Sequence, residues 1–327
     1  MAGVLRIHFA DLDFRRVQLM KSPDPMWEAV LALHVLSTPV SALPERLQAW
    51  RTCARRQLAD SELRSACGML NALAPADASY FPDFLTPLEA ADGMESGLEA
   101  LRSTPGHRMA RELKYAARRR TLPAWTHRLA AGDRGTLEDL AGAVQRFHTR
   151  LIRPDWSQVE ATVEVDRVHM LNALEEGVGA LLGAIRPFTW SDPVLSAPYP
   201  MDHSIHLQGR GLRLIPSFFC HTNPVAIVDP NLPPVVVYPV NHHTSPVSPQ
   251  HHSDALEDLL GRNRARVLMA LKTTHTTGGL AARLAVSGAA VSVHVKILRS
   301  AGLVDSRRVG SRIVHILTPR GQQLLDC

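Results

Sequence analysis

A chain of 327 residues with 45% hydrophobic and 20% charged side chains is long enough for two domains and has the composition of a globular protein, not a disordered one. No apolar run approaches the roughly 20 residues of a membrane-spanning helix, the longest being residues 26–36, and the opening MAGVLRIHFADLDF carries acidic residues where a signal peptide is apolar. The net charge of +5 is unevenly placed: residues 254–327 hold eleven Lys or Arg against five Asp or Glu, so the preceding three-quarters is close to neutral. A basic excess confined to one end points to a polyanion contact there.

A cytoplasmic chain with no membrane partner is therefore expected. Cys53, Cys67, Cys220 and Cys327 are scattered, with no C-x-C or C-x-x-C pair, which predicts reduced thiols and no zinc site.

From residue 25 to about residue 186, apolar residues recur at three- and four-residue spacing in PMWEAVLALHVL, PERLQAWRTCARRQL, TLEDLAGAVQRFHTRL and DWSQVEATVEVDRVHMLNALEEGVGALLGAI. That period predicts six to eight helices. YFPDFLTP at 80–87, STPG at 103–106 and TLP at 121–123 read as breaks and helix starts, since proline fits a first helical turn but not an interior. Beyond Arg186 the period changes. IHLQGRGLRLIPSFF reads as a small antiparallel hairpin joined by a glycine-bearing turn, and PPVVVYPV as a third strand whose prolines favour a sheet edge.

NHHTSPVSPQHH has linker composition. The expected organisation is mainly α with a small antiparallel β region. It comprises a multi-helical domain over 1–185, the β region packed on it over 186–240, a His/Pro/Ser linker over 241–252 and a C-terminal winged helix-turn-helix over 253–327.

In that last segment DALEDLLGRNRARVLMAL is an amphipathic helix offering Leu256, Leu259, Leu260, Val267, Leu268 and Leu271 to a core. A short second helix follows, capped by Thr276 or Thr277, with Leu280, Ala281 and Leu284 inward. After the turn at Val286, Ser287 and Gly288, GAAVSVHVKILRSAG forms a third helix ended by Gly302. At 100° per residue Val291, Val295 and Leu298 fall inward, with His294 at the edge. Ala289, Ser292, Val293, Lys296 and Ser300 fall on the opposite, unusually short-chained face.

Small side chains let a helix enter a major groove, where Ser bonds base edges or phosphates and Ala or Val meets thymine methyl groups. LVDSRRV, a turn around Gly310 and RIVHIL then form a two-stranded wing with Arg307, Arg308 and Arg312 near its tip, suited to phosphates or a narrow minor groove. Thr318 caps a last short helix with Pro319 in first position. The candidate DNA contacts are Ser287, Gly288, Ala289, Ser292, Val293, His294 and Lys296 on the third helix, and the three wing arginines. His294 reads equally as a core-edge residue.

The frame of Ser287, Val291, Ser292, His294, Lys296, Leu298, Arg299, Ala301, Gly302, Leu303 and Val304, with LLGRNRARVLMAL before it and TPRGQQLL after it, resembles the winged helix of ArsR-type bacterial regulators from Leu259 through Leu325. More loosely, GRGLRLIPSFF and VYPV resemble the long N-terminal extension of some actinobacterial ArsR-like regulators. The resemblance implies a homodimer on an inverted-repeat operator of double-stranded DNA. GLAARLA and GQQLLDC carry neither of the ligand sets of the metal-sensing members, and Val293 stands where the family often has Arg, so operator preference does not carry over.

The function expected is a sequence-specific transcriptional regulator, with repression the expected mode, open to control by a small-molecule effector. A constitutive architectural DNA binder and a protein-interaction adaptor are the other readings. Trp27, Trp125 and Trp156, together with Tyr80, Phe81 and Trp190, are candidates to line an effector pocket. His242, His243, His251 and His252 read as linker before metal ligands, and His203, His206 and His221 near Cys220 form a second weak cluster. Arg111, Lys114 and the run Arg118 to Arg120 read as a solvated helix end. No G-x-S-x-G, P-loop, H-E-x-x-H or dinucleotide fingerprint occurs, so neither an enzyme nor a cofactor is expected.

Overall fold

The computed structural model describes residues 3–240 apart from 79, 228 and 230, and residues 256–326 apart from 258, 272–274, 285, 310 and 311. Two compact units result, Met1–His242 and His243–Cys327. The histidine pairs of the expected linker lie outside the described residues.

The N-terminal unit begins with strand β1 (Gly3–His8), where Leu5 and Ile7 are fully buried and Arg6 is exposed, the period of two that a half-buried strand requires. A single turn, α1 (Asp11–Phe14), leads to β2 (Val17–Leu19). Helices α2 (Pro25–Ser37), α3 (Glu45–Gln57), α4 (Ser61–Leu73), α5 (Met94–Arg102), α6 (Gly106–Ala117), α7 (Trp125–Ala130), α8 (Arg134–Phe147), α9 (Trp156–Glu175) and α10 (Val178–Ala184) follow. Among the described residues that makes nine α-helices from 25 to 186, more than the expected six to eight. One reason is Gly177, whose φ of +112° separates α9 from α10 inside a stretch that reads as one apolar period.

Strands β3 (Thr189–Ser191), β4 (Val194–Tyr199), β5 (His203–His206), β6 (Leu212–Ser217), β7 (Val225–Ala226) and β8 (Val235–Pro239) complete the unit. They do not form one small antiparallel region. Two mixed four-stranded sheets form, ordered β3-β4-β1-β5 and β2-β6-β8-β7, so that β1 and β2, at the start of the chain, go to different sheets. β1 pairs antiparallel with β4 and parallel with β5, while β6 pairs parallel with both β2 and β8.

The expected hairpin of β5 and β6 is therefore split between sheets. Its turn carries the chain across: Gln208, Gly209 and Gly211 have φ of 55°, 82° and 75°, and a Cβ on Gly211 would stand 2.3 Å from the Arg16 carbonyl oxygen. Buried Asp13 holds the crossing by accepting the Gly211 amide at 2.8 Å and the Ala10 amide at 2.8 Å. β8, expected at an edge, lies between β6 and β7. Its Pro239 falls at the strand end, where the next ladder bond, Val240 N–H to Ser217 O at 3.1 Å, bypasses the missing proline donor.

The helices close one core around α2, which is buried almost all round from Pro25 to Leu36. The sheets with α9 and α10 close a second, around Leu5, Ile7, Leu182, Phe188, Leu195 and Val236. Fully buried Glu28 links α2 to the end of β6, accepting from Ser217 Oγ at 2.9 Å and from the amides of Phe218 and Phe219 at 2.8 and 3.0 Å. Burial outweighs those donors and pushes its pKa up to about 7.

The C-terminal unit contains α11 (Arg262–Ala270), β9 (His275–Thr276), α12 (Thr277–Leu284), α13 (Gly288–Ser300), β10 (Val304–Val309), β11 (Arg312–Leu317) and α14 (Pro319–Asp326), with a sheet ordered β10-β11-β9. The first helix is interrupted at Gly261, whose φ is +80°, and Leu259 is exposed instead of joining the core. Val267, Leu268, Leu280, Val291, Val295 and Leu298 form that core. No single helix among the described residues is long and apolar enough to cross a membrane.

Candidate nucleic-acid interface

Two caps define the helix pair at the centre of the C-terminal unit. Thr276 Oγ1 accepts the Gly279 amide at 3.1 Å to start α12, and Ser287 Oγ accepts the Ala290 amide at 3.2 Å to start α13. The helices meet at 111°, within the roughly 90–120° of a helix-turn-helix. Leu280 on α12 and Val291, Val295 and Leu298 on α13 are buried, which fixes the rotation of α13 about its axis. Gly302, at φ +72°, terminates it, and the Leu303 amide returns to the Leu298 carbonyl at 2.9 Å.

That rotation turns Ala289, Ser292, Val293, Lys296 and Ser300 to the surface together, with Val293 57% exposed. Ile297, 41% exposed, extends this face and went unread in the sequence, although it lies one turn beyond Val293. Ser292 Oγ donates to the Gly288 carbonyl at 2.9 Å, leaving its lone pairs to accept from an incoming donor. The Ser287 oxygen is engaged as a cap, so its role is at least partly structural. Open space surrounds Gly288 at the helix start. His294 is half-buried at the edge of the face, and its Nδ1 has no hydrogen-bond partner among the described residues.

The wing strands pair Arg307 with Val314 and Arg308 with Ile313. Both arginines are exposed, and Arg307 reaches half-buried Asp305 at 3.4 Å. The turn at Gly310 and the Arg312 side chain lie outside what is described. His315, not singled out in the sequence, anchors the wing. Its Nδ1 meets Ser306 Oγ at 2.8 Å and its Nε2 meets Thr277 Oγ1 at 2.9 Å, joining both wing strands to the first residue of α12. Burial and then the Arg299 charge lower its pKa, which keeps the ring neutral, one nitrogen donating and the other accepting.

Residues 259–307 match the family model described as a helix-turn-helix domain, a span that runs from just before α11 through α12 and α13 into β10. The C-terminal unit is therefore a helix-turn-helix domain, the class that binds DNA in transcription regulation. Comparisons with the curated proteins and with the solved structures give no match.

The N-terminal unit carries a cavity of about 320 Å³ between α2, residues 76–83 and residues 220–226. Trp27, Tyr80 and Phe81 line it; the other aromatic candidates do not. Trp125 packs on the helical core, Trp156 donates Nε1–H to Glu160 at 2.9 Å, and Trp190 packs against Phe9 and Phe14. Of the second histidine cluster only His221 lines the cavity, while His206 stacks on His8 at 4.3 Å and His203 on Tyr199.

His34 and Asp83 also line the cavity. Burial lowers the His34 pKa to about 4 and raises that of Asp83 to about 7, Glu112 and Asp229 adding to the latter. The basic run is not simply a solvated helix end. Arg120 donates to the carbonyls of Ala72 and Leu73, Arg119 stacks on Tyr115 at 4.1 Å, and Arg111 pairs with Asp229.

Proposed function

We propose that this chain is a sequence-specific DNA-binding transcriptional regulator of the ArsR-like kind. On this reading it is a homodimeric repressor on an inverted-repeat operator, controlled by a small molecule bound in its N-terminal unit. The observation that carries the reading is the α12–α13 pair at 111°, with a face of short side chains on α13 beside exposed arginines on β10. Only short side chains allow the α13 backbone to approach base edges closely. Ser292 then accepts from a base donor, Ala289 and Val293 contact thymine methyl groups, and Lys296, Arg307, Arg308 and Arg312 neutralise phosphates.

A dimer sets two such helices into successive major grooves about 34 Å apart. The second copy docks on the outer face of α9. That helix buries Val159, Val163 and Met170 on one side yet leaves Val165 and Val168 45% and 46% exposed on the other, an apolar stripe that a two-fold copy of itself covers. Control follows if a ligand binds one arrangement of the half-sites more tightly than another.

Selection of bound sequences from a random duplex pool tests the proposal. It predicts enrichment of an inverted repeat with half-sites one helical turn apart. Binding without enrichment would favour a constitutive architectural role, and no binding at all a protein-interaction adaptor.

A further inference from the structure

The cavity of the N-terminal unit has a hydrogen-bonding polarity that defines the ligand it takes. The inference rests on the effector-controlled reading above and narrows it to a chemical class.

The volume of about 320 Å³ falls in the range of small-molecule sites, roughly 300–1,000 Å³. Four aromatic residues, Trp27, Tyr80, Phe81 and Tyr199, contribute to its wall, and among the described residues no Lys or Arg does. Beside the hydroxyls of Thr38 and Thr222 and the Asn223 amide, which can donate or accept, two histidines and one carboxyl present acceptors. His34 Nε2 lies 3.2 Å from the Ala74 carbonyl, which can only accept, so Nε2 carries the proton and Nδ1 is left as an acceptor. His221 Nδ1 stands in the same relation to the Phe219 carbonyl at 3.3 Å, leaving Nε2 as an acceptor.

Burial favours the neutral form of both rings, and His221 is close enough to oppose a charge on His34. The one formally anionic group among the described wall residues is Asp83. The arginines near it form their ion pairs with other carboxylates, Arg108 with Glu112 and Arg111 with Asp229, although the Arg108 charge still reaches Asp83.

An anionic ligand would bring its charge against Asp83 and two imidazole lone pairs, with no cation among the described wall residues to receive it. A wholly apolar ligand would fill the aromatic part and offer no donor to His34 Nδ1, His221 Nε2 or the Asp83 carboxyl. An organic ammonium satisfies both requirements: its N–H groups donate to the acceptors, its charge meets Asp83, and the aromatic faces attract both the cation and its hydrocarbon body. We infer that this cavity is a binding site for an aromatic or otherwise hydrophobic amine, with Asp83 as the charge partner and His34 and His221 as further acceptors.

The test uses the full chain without DNA, so that failure to find an operator leaves it intact. Calorimetric titration with tryptamine, indole and indole-3-acetate varies charge on one aromatic body. Tryptamine is expected to bind at least about tenfold more tightly than either of the others. Asp83→Asn should lower tryptamine affinity about tenfold while changing indole affinity less than about twofold. Ala78→Trp, which fills the cavity from a loop, should abolish tryptamine binding while the thermal midpoint is kept. Indole-3-acetate binding as tightly as tryptamine, tryptamine binding unchanged in Ala78→Trp, or no binding by any of the three would overturn the assignment.

Discussion

Glu28 and Ser292 illustrate how single side chains carry opposite kinds of information. Glu28 carries a side chain of a type that ordinarily stays in water, yet inside the apolar helix α2 it is fully buried and accepts three hydrogen bonds from the end of β6. Glu28→Gln replaces one acceptor oxygen by a donor group facing a donor. It should cost the N-terminal unit about 1–3 kcal/mol in chemical denaturation, with little effect on the C-terminal unit.

Ser292 is where its helical wheel position puts it, and the interface separates its role from that of Lys296. Lys296→Ala should reduce the slope of log K against log salt by about 0.9, the loss of one phosphate contact, for any DNA sequence. Ser292→Ala should leave that slope unchanged and weaken operator binding by about 0.5–1.5 kcal/mol relative to random DNA. Equal losses on both DNAs would remove Ser292 from the base-reading set.

Among the elements, α13 is the most legible because one period governs it. Val291, Val295 and Leu298 are buried and Ala289, Ser292, Val293 and Lys296 exposed, and Gly302 ends the helix at a φ of +72°. Gly302→Ala meets nothing closer than Arg320 Nη1 at 3.8 Å, so its cost is backbone strain alone. It should lower the stability of the C-terminal unit by about 1–2 kcal/mol.

β1 escapes a sequence reading although Leu5, Ile7 and Phe9 alternate with polar residues. Its partners β4 and β5 lie at the far end of the unit, at positions 194–206, and so short an alternation is a weak local signal. The separation of β5 from β6 depends on the close approach of Gly211 to Arg16, a tertiary contact that no local pattern encodes. α9 bears the dimer reading: Val168→Glu puts a charge on its exposed apolar stripe. The variant should shift the protein to monomer in sedimentation and weaken operator binding, without lowering its thermal midpoint.

At the scale of the molecule, the basic excess of positions 254–327 and the helix-turn-helix are both readable, since charge and period are properties of contiguous sequence. The cavity is not. Trp27, His34, Tyr80, Asp83 and His221 come from segments far apart in the chain, and their aromatic and acidic character has meaning only once the fold assembles them.

The same buried groups predict how stability responds to pH. Asp24, Glu28 and Asp83 are raised to about 7 by burial, so the folded state holds their protons more tightly than the unfolded one. Their contribution is full at low pH and is lost as pH rises through about 7. His34 and His148, lowered to about 4, act in the opposite sense, their contribution being full above about 6.5 and lost toward 4. Between pH 6.5 and 8 the carboxyls lose the rest of their contribution while the histidines gain only the tail of theirs, so the thermal midpoint of the N-terminal unit should fall over that interval. Asp83→Asn should shallow the decline.

Whether the C-terminal unit reads a specific operator is decided by binding of the full chain to its own promoter DNA against random DNA over a salt series. Tighter binding to the promoter is expected at every salt. The slope of log K against log salt should also fall by roughly two when Arg307 and Arg308 are both changed to Ala. Equal affinity for the two DNAs throughout, or a slope indifferent to the wing arginines, would contradict operator reading by this domain.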